Sequence, residues 1–283
     1  MNIGLIDIEP KVVNTALMQI SMYHKQRGDI VEWATPLTYH CYDKLYCSSL
    51  FDFTDKSQLP KRTICGGTGF DLTTNLPTEI EECEYDYSIY PDCDYSIVWF
   101  SRGCIRRCPF CVVWKKEGKI RPVKQKPLNP IGKYIVVQDN NFFANPEWLK
   151  AWSYLAVANE SLPLDFQGID ARIITDDQSI RLSELRHYKQ IKIAWDSYDY
   201  ETYVGIKRML KYIPPYKIMC YVLIGYNSNH WSNYSRVMAL RAMDVDPFVM
   251  PYNKKDPYQK DFARWVNHKA VFKSVKWEEY KKF

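Results

Sequence analysis

The sequence contains no apolar run near the ~18 residues that a membrane span requires, and Met1 to Asp7 lack the basic-then-apolar pattern of a secretory leader. Neither membrane insertion nor export is expected, and the chain is read as cytoplasmic. It has no internal repeat and no low-complexity tract, which argues against a solenoid, a fibre or a disordered linker. It also lacks a large excess of one charge: 38 basic against 33 acidic residues leave +5, which does not by itself imply a nucleic-acid partner. An even set of cysteines is missing as well. Nine cysteines in a reducing compartment do not form a disulfide framework, so clustered ones are expected to hold metal.

What is present is the composition of a soluble globular protein, with 46% hydrophobic residues, 25% charged residues and a mean hydropathy of −0.39. At about 150 residues per domain, 283 residues make two domains or one large α/β domain. Charge is unevenly placed. Pro77 to Tyr95 holds seven acidic residues and no Lys or Arg, whereas Arg102 to Lys126 holds nine basic residues and only Glu117 opposing them. That reversal marks an organisational boundary.

Ahead of the boundary, a short apolar run at residues 3–8 precedes a helical pattern in Ala16, Leu17, Ile20, Met22 and Tyr23 that stops at Gly28. Strand-like segments follow at 29–34, 44–51 and 61–65, the last running into Gly66-Gly67-Thr68-Gly69. This is the pattern of a small Rossmann-like layer. The glycine cluster either cradles a ligand or marks a tight turn.

Beyond the boundary, strands are expected at 96–101, 134–139, 164–168, 191–196, 217–224 and 247–251. Helical patterns at 146–159, 177–188, 200–212 and 231–243 separate most of them, and one more helix is expected at 258–269. Each connection is long enough for a parallel crossover. The fold class is therefore α/β, a partial (βα)6 parallel barrel preceded by a small Rossmann-like N-terminal domain, with its chemistry at the C-terminal ends of the strands.

Directly after the first of these strands stands Ser101-Arg-Gly-Cys104-Ile-Arg-Arg-Cys108-Pro-Phe-Cys111. Three thiolates spaced C-x3-C-x2-C on one loop can hold three irons of a 4Fe-4S cubane and leave the fourth iron open. A structural zinc would want a fourth ligand, and the nearest histidines in sequence, His40 and His187, are far away. An electron carrier would want a fourth cysteine close by. The remaining cysteines, Cys41, Cys47, Cys65, Cys83, Cys93 and Cys220, are scattered, and buried reduced thiols are their default reading.

This loop and its place after the first strand of an α/β barrel resemble the radical SAM enzymes, and Phe110 matches the aromatic that packs beside the adenine of S-adenosylmethionine in that superfamily. The resemblance implies a cluster on Cys104, Cys108 and Cys111, with S-adenosylmethionine chelating the open iron and cleaved reductively to a 5'-deoxyadenosyl radical that abstracts hydrogen from a substrate. It also implies an external electron donor of flavodoxin or ferredoxin type.

Further contacts are expected at the other strand ends. Asp139 and Asn140 stand where the family holds the methionyl amine, with a helix cap or Asx turn as the alternative. Arg172 suits the S-adenosylmethionine carboxylate because its planar fork binds two oxygens. Gln167 is placed toward the lumen, and an Asp170–Arg172 ion pair is the plain alternative for that segment. Asp196 or Ser197 is expected at the ribose. The segment Val222 to Asn227, with Gly225, resembles the stretch flanking the adenine, and Met250-Pro251-Tyr252 borders the adenine or the substrate.

The layout also resembles the cobalamin-dependent radical SAM proteins, but Asp7-Ile-Glu-Pro-Lys-Val lacks the histidine of their Asp-x-His-x-x-Gly motif, so tight cobalamin binding is not expected. The domains then read as 1–76 cobalamin-binding-domain-like, 77–95 acidic linker, 96–252 radical SAM partial barrel and 253–283 helical extension. A second reading is methyl or methylthio transfer to a nucleic acid or nucleotide, served by the basic stretch 106–126 around Trp114; the alternative for that stretch is a solvated loop offsetting nearby negative charge. The non-enzyme reading is a zinc-stabilised nucleic-acid-binding module. The substrate, small molecule or nucleic acid, is left open.

Overall fold

A computed structural model describes residues 1–280. They form two compact units, one of Met1–Ser96 with Val112–Gly118 and Gln125–Gly132, the other of Ile97–Cys111, Lys119–Lys124 and the chain from Lys133 onward. Among the described residues no helix is long and apolar enough to cross a membrane.

The first unit is a parallel sheet. Its elements are β1 (Asn2–Ile6), α1 (Thr15–Lys25), β2 (Ile30–Trp33), β3 (Lys44–Ser48), β4 (Ile64–Gly66) and the short α2 (Thr78–Glu81), with strand order β2-β1-β3-β4. Residues Ile3 to Ile6 of β1 are buried on both faces, which is what an apolar run bounded by polar residues gives in the centre of a parallel sheet. Asn14 caps α1, its side-chain oxygen accepting from Ala16 and Leu17 N–H, and Leu17 and Ile20 pack on Ile3, Leu5 and Tyr46. Ile6, Ala34, Tyr42, Leu45 and Cys47 form the second core.

The acidic segment 77–95, expected as a linker, belongs to this unit. Ile80, Tyr85 and Cys93 are buried, while the Asp86 carboxylate accepts from Ser21 Oγ at 2.6 Å and pairs with Lys25 Nζ at 2.7 Å. Apolar residues interspersed among the carboxylates supply the core contacts that a charge count alone does not reveal. Two of the basic residues are spent here too. Lys116 Nζ donates to the Thr74 carbonyl, and Lys126 Nζ to the carbonyls of Glu81 and Glu82, so part of the basic stretch pins the main chain rather than facing solvent.

The second unit alternates strands and helices as the sequence suggested. In chain order come β5 (Tyr95–Val98, whose Tyr95 and Ser96 belong to the first unit), β6 (Ser101–Arg102), α3 (Val113–Lys116, which sits in the first unit), β7 (Arg121–Pro122), β8 (Tyr134–Val137), α4 (Trp148–Asn159) and β9 (Leu164–Phe166). Then follow α5 (Asp176–Glu184), β10 (Ile191–Ala194), α6 (Tyr200–Met209), β11 (Ile218–Ile224), α7 (His230–Ala242), β12 (Asp246–Pro251), α8 (Pro257–Asn267), α9 (Lys269–Ser274) and α10 (Trp277–Tyr280). The strands make two three-stranded sheets, β5-β8-β9 and β10-β11-β12, with an isolated parallel bridge from Ile169 to Ile193 between them. The fold is thus mixed α/β with parallel sheets.

Several boundaries differ from expectation for identifiable reasons. The first strand stops at Val98 because the Asp139 carboxylate captures the N–H of Phe100 and the hydroxyl of Ser101, and the chain then leaves the sheet to pair with β7 as an antiparallel ribbon. Helix α5 ends at Glu184, not near residue 188, because Leu185 turns extended and Arg186 and Tyr188 exchange main-chain bonds with Leu164. Helix starts follow cap chemistry: capping boxes at Thr175/Gln178 and Asn229/Ser232, and side-chain caps at Asp199 and Asp256. The helix expected at 258–269 is α8, ended at His268, whose φ of −87° and ψ of 88° lie outside the helical region, and the short α9 and α10 follow it. Asn267 of α8 bonds both the N–H and the C=O of Val249, so α8 seals the outer edge of β12 instead of extending away from it.

One glycine is needed for helix packing. A Cβ at Gly205 in α6 would stand 1.8 Å from the Ala171 carbonyl oxygen, which is fixed main chain. Gly205→Ala is therefore expected to lower stability by about 1–3 kcal/mol through overpacking. Urea denaturation should show this as a lower midpoint at an unchanged slope; an unshifted midpoint would refute the close contact.

Candidate functional site

Every residue singled out for the site lies in the second unit. The cysteine loop leaves β6 through Gly103, and none of its three cysteines is in a disulfide; each is half-buried. Cys104 Sγ accepts the Arg106 N–H at 3.3 Å, and Cys111 N–H donates to the Cys108 carbonyl at 3.0 Å, which folds the loop tightly. Burial pushes the Cys108 thiol up; Arg172 opposes the shift, while Cys111, Asp196 and Cys104 add to it. The three thiols therefore share one electrostatic neighbourhood with Arg172 and Asp196. Among the described residues no three His, Cys, Asp or Glu side chains converge as ligands of a single metal ion.

Asp170 holds the loop in place. Its carboxylate is buried and accepts from Arg106 Nε at 3.0 Å, from Arg172 Nε at 2.7 Å and Nη2 at 3.0 Å, and from Asn141 Nδ2 at 3.3 Å. Burial alone would raise this carboxyl, but the Arg172 and Arg106 contacts outweigh it and hold Asp170 below the usual carboxylate range. Arg172 thus makes the ion pair that was the plain alternative for its segment, through Nε and Nη2 only.

The other residues fall into three groups. Asn140 is brought to the loop, its Nδ2 lying 3.4 Å from the Gly103 carbonyl, and Phe110 packs edge-on against Tyr226 at 5.2 Å, which in turn meets Tyr252 at 5.0 Å. Those three rings come from the loop and from the ends of β11 and β12. Asp196 is also close, half-buried and pushed up by burial, with Arg172 and Arg236 opposing. Asp139 is not part of this surface. It is 1% exposed and spends its carboxylate on Phe100 and Ser101, so it braces the strand end, and burial pushes it up. Gln167 and Ser197 are exposed, Ser197 bonding Asp199 at 3.0 Å. Gly225 serves the turn: φ is +80° and a Cβ would strike the Gln259 amide at 2.2 Å.

Sequence reasoning passed over four groups. Arg106 was read only as part of a basic run. Asn141 Oδ1 is buried without a donor at the end of β8, an orphaned acceptor of the kind a ligand satisfies. Lys192 and Asp165 form a buried ion pair on neighbouring strands, 10% and 6% exposed. Their signal was visible, since each is a charge flanked by buried apolar residues in a strand (Ile191-Lys192-Ile193 and Leu164-Asp165-Phe166), and the two charges are opposite.

The Asp170 network gives a pH prediction. Its carboxyl is lowered in the folded chain, so its stabilisation is complete above about pH 4, the ordinary range, and is lost as pH falls through the lower folded value. Asp170→Asn should cost about 3 kcal/mol at pH 7 by stranding two half-buried guanidinium groups, and the gap to wild type should close on acidification. Equal stability at neutral pH would show that the network is not structural. No protein-family model matches this chain, and no curated protein sequence matches it significantly, so the chemistry of the site stands on these residues alone.

Proposed function

We propose that this protein is a radical SAM enzyme with a 4Fe-4S cluster held by Cys104, Cys108 and Cys111. The observation that carries this reading is the C-x3-C-x2-C loop itself, set directly after the short strand β6 and flanked by the Phe110–Tyr226–Tyr252 rings. The donor set fits: three soft thiolates, no disulfide, and a main-chain N–H already aimed at Cys104 Sγ, as cluster sulfurs require. On this reading the two sheets, bridged at Ile169 and Ile193, form one partial (βα)6 barrel. On this reading the enzyme works in a reducing, cytoplasmic compartment, with a flavodoxin- or ferredoxin-type protein as electron donor.

When bound, the cluster and S-adenosylmethionine supply reductive cleavage of the sulfonium to a 5'-deoxyadenosyl radical. The chain's own residues bind and orient. Arg172 keeps Nε and Nη2 on Asp170 and offers Nη1 to the S-adenosylmethionine carboxylate. Asn140 and the orphaned Asn141 Oδ1 lie beside the loop as partners for the methionyl amine. Phe110, Tyr226 and Tyr252 provide the apolar faces for an adenine and exclude water from it. Asp196 serves the ribose hydroxyls on this reading. Lys192, paired with Asp165, shares its sheet face with Tyr221 and Phe248, and this face is offered to the substrate.

Anaerobic reconstitution with iron and sulfide is the test. Wild type is expected to take up about four irons and four acid-labile sulfides, and to form 5'-deoxyadenosine from S-adenosylmethionine and a strong reductant. Cys104→Ala, Cys108→Ala and Cys111→Ala should each abolish the product. Arg172→Lys, which keeps a cation beside Asp170 but loses the planar fork, should raise the S-adenosylmethionine KM about tenfold, the loss of one charge-assisted pair, with the cluster content unchanged. One tight colourless zinc in place of iron would overturn the reading in favour of a zinc-stabilised module.

A further inference from the structure

We propose that the first unit carries a binding site of its own for an organic cation, an ammonium-bearing small molecule, in the cavity at the C-terminal ends of β1 and β2. The cavity measures about 580 Å³, and Asp7, Lys11, Trp33, Tyr90 and Tyr95 are among its walls. Its volume is that of a small-molecule pocket, and its position is where open parallel α/β sheets bind ligands, beyond the carboxyl ends of the strands. Asp7 follows the last residue of β1, and Trp33 is the last residue of β2. The site lies wholly within the first unit and stands whether or not the cysteine loop holds a cluster.

The aromatic walls are pinned before any ligand arrives. Trp33 Nε1 donates to the Ile89 carbonyl at 2.9 Å, the Tyr90 hydroxyl accepts the Asn14 N–H at 3.3 Å, and the two rings meet at 5.3 Å. Trp33 nevertheless remains 36% exposed, and aromatic rings line the cavity. The faces of such rings attract cations through the ring quadrupole, most strongly for Trp.

Asp7 sets the sign of the charge. Its carboxylate is half-buried, and among the described residues its one hydrogen bond is from the Glu9 N–H at 2.9 Å, with no Lys, Arg or His ion pair. Burial pushes Asp7 up, and the Glu9 carboxylate adds to that push, which is the signature of a carboxylate short of positive charge. Tyr90 and Tyr95 are also pushed up by burial and stay neutral. Lys11 is exposed and pairs with none of these groups, and Asp92, also at the rim, adds a second negative charge. Among the charged walls Asp7 and Asp92 outnumber Lys11, so an anionic ligand meets net repulsion, and a neutral one would leave Asp7 unpaired. An ammonium group gains both the ring faces and the carboxylate.

The test is calorimetric titration of the full chain with choline, benzyltrimethylammonium and spermidine, against 3,3-dimethyl-1-butanol, the uncharged isostere of choline, and against adenosine. At least one cation should bind, with the isostere at least about tenfold weaker than choline or the quaternary probe it resembles. Asp7→Asn, which keeps the side-chain shape, and Trp33→Ala should each weaken the bound cation about tenfold, roughly 1.4 kcal/mol, while Trp33→Phe retains part of the affinity. Thermal unfolding of each variant shows that the fold persists. Absence of binding by all three cations, equal binding of the isostere, preference for adenosine, or unchanged affinity in well-folded Asp7→Asn would each overturn the proposal.

Discussion

The geometry of the second unit hangs on one buried carboxylate. Asp170 stands just beyond β9, yet it fastens Arg106 of the cysteine loop, Arg172 of its own turn and Asn141 beyond β8. A carboxylate has room for about four acceptor bonds, and here they go to donors from three different connections. That convergence ties the cysteine loop to the ends of β8 and β9, because moving any one donor leaves a buried charge short of partners. The site is therefore tied together by charge-assisted hydrogen bonds as well as by the Phe110–Tyr226–Tyr252 packing.

Apolar packing does its work on the opposite face of the same strands. Ile191, Ile193, Cys220, Val222 and Val249 are essentially inaccessible to water, whereas their alternating neighbours include Lys192, Tyr221, Phe248 and Met250, of which the last two are exposed. Period-2 alternation in parallel strands would be costly if the polar face were covered by helices, as both faces of such sheets ordinarily are. Arg236 shows how firmly the other side is closed. It is fully buried and donates to the carbonyls of Trp195 and Leu223, tying α7 to the ends of β10 and β11.

Two carboxylates in the first unit show how environment, not residue type, decides a role. Glu9 and Asp7 are two residues apart. Glu9 accepts from Ser49 Oγ, Leu50 N–H, Phe51 N–H and Thr54 Oγ1; burial would raise it, but these donors hold it below its ordinary range, and it is spent on shaping the loop after β3. Asp7 has one such donor and the opposite shift. A saturated carboxylate is a structural part, while a hungry one at the mouth of a cavity is available to a ligand.

Much of this was legible in the sequence because it is local. The α/β alternation follows from apolar runs and cap residues, and the thiol-rich loop follows from Cys104, Cys108 and Cys111 being close along the chain, where three soft donors on one turn have few other uses. The strand-end positions of Phe110, Asn140, Arg172 and Asp196 follow from the same local reading. What the sequence could not decide was which way neighbouring polar side chains face. Asp139 and Asn140 are adjacent, yet one is consumed by Phe100 and Ser101 and the other reaches the loop. The acidic stretch 77–95 read as a linker because charge was counted without the contacts of Ile80, Tyr85 and Cys93. Nor could spacing foresee the Arg106–Asp170 bond, sixty-four residues apart, or the Trp33–Tyr90 wall. Composition and periodicity determine which segments become strands, helices and thiol loops; only tertiary structure decides which charges meet, since that depends on distances in space between residues the chain keeps far apart.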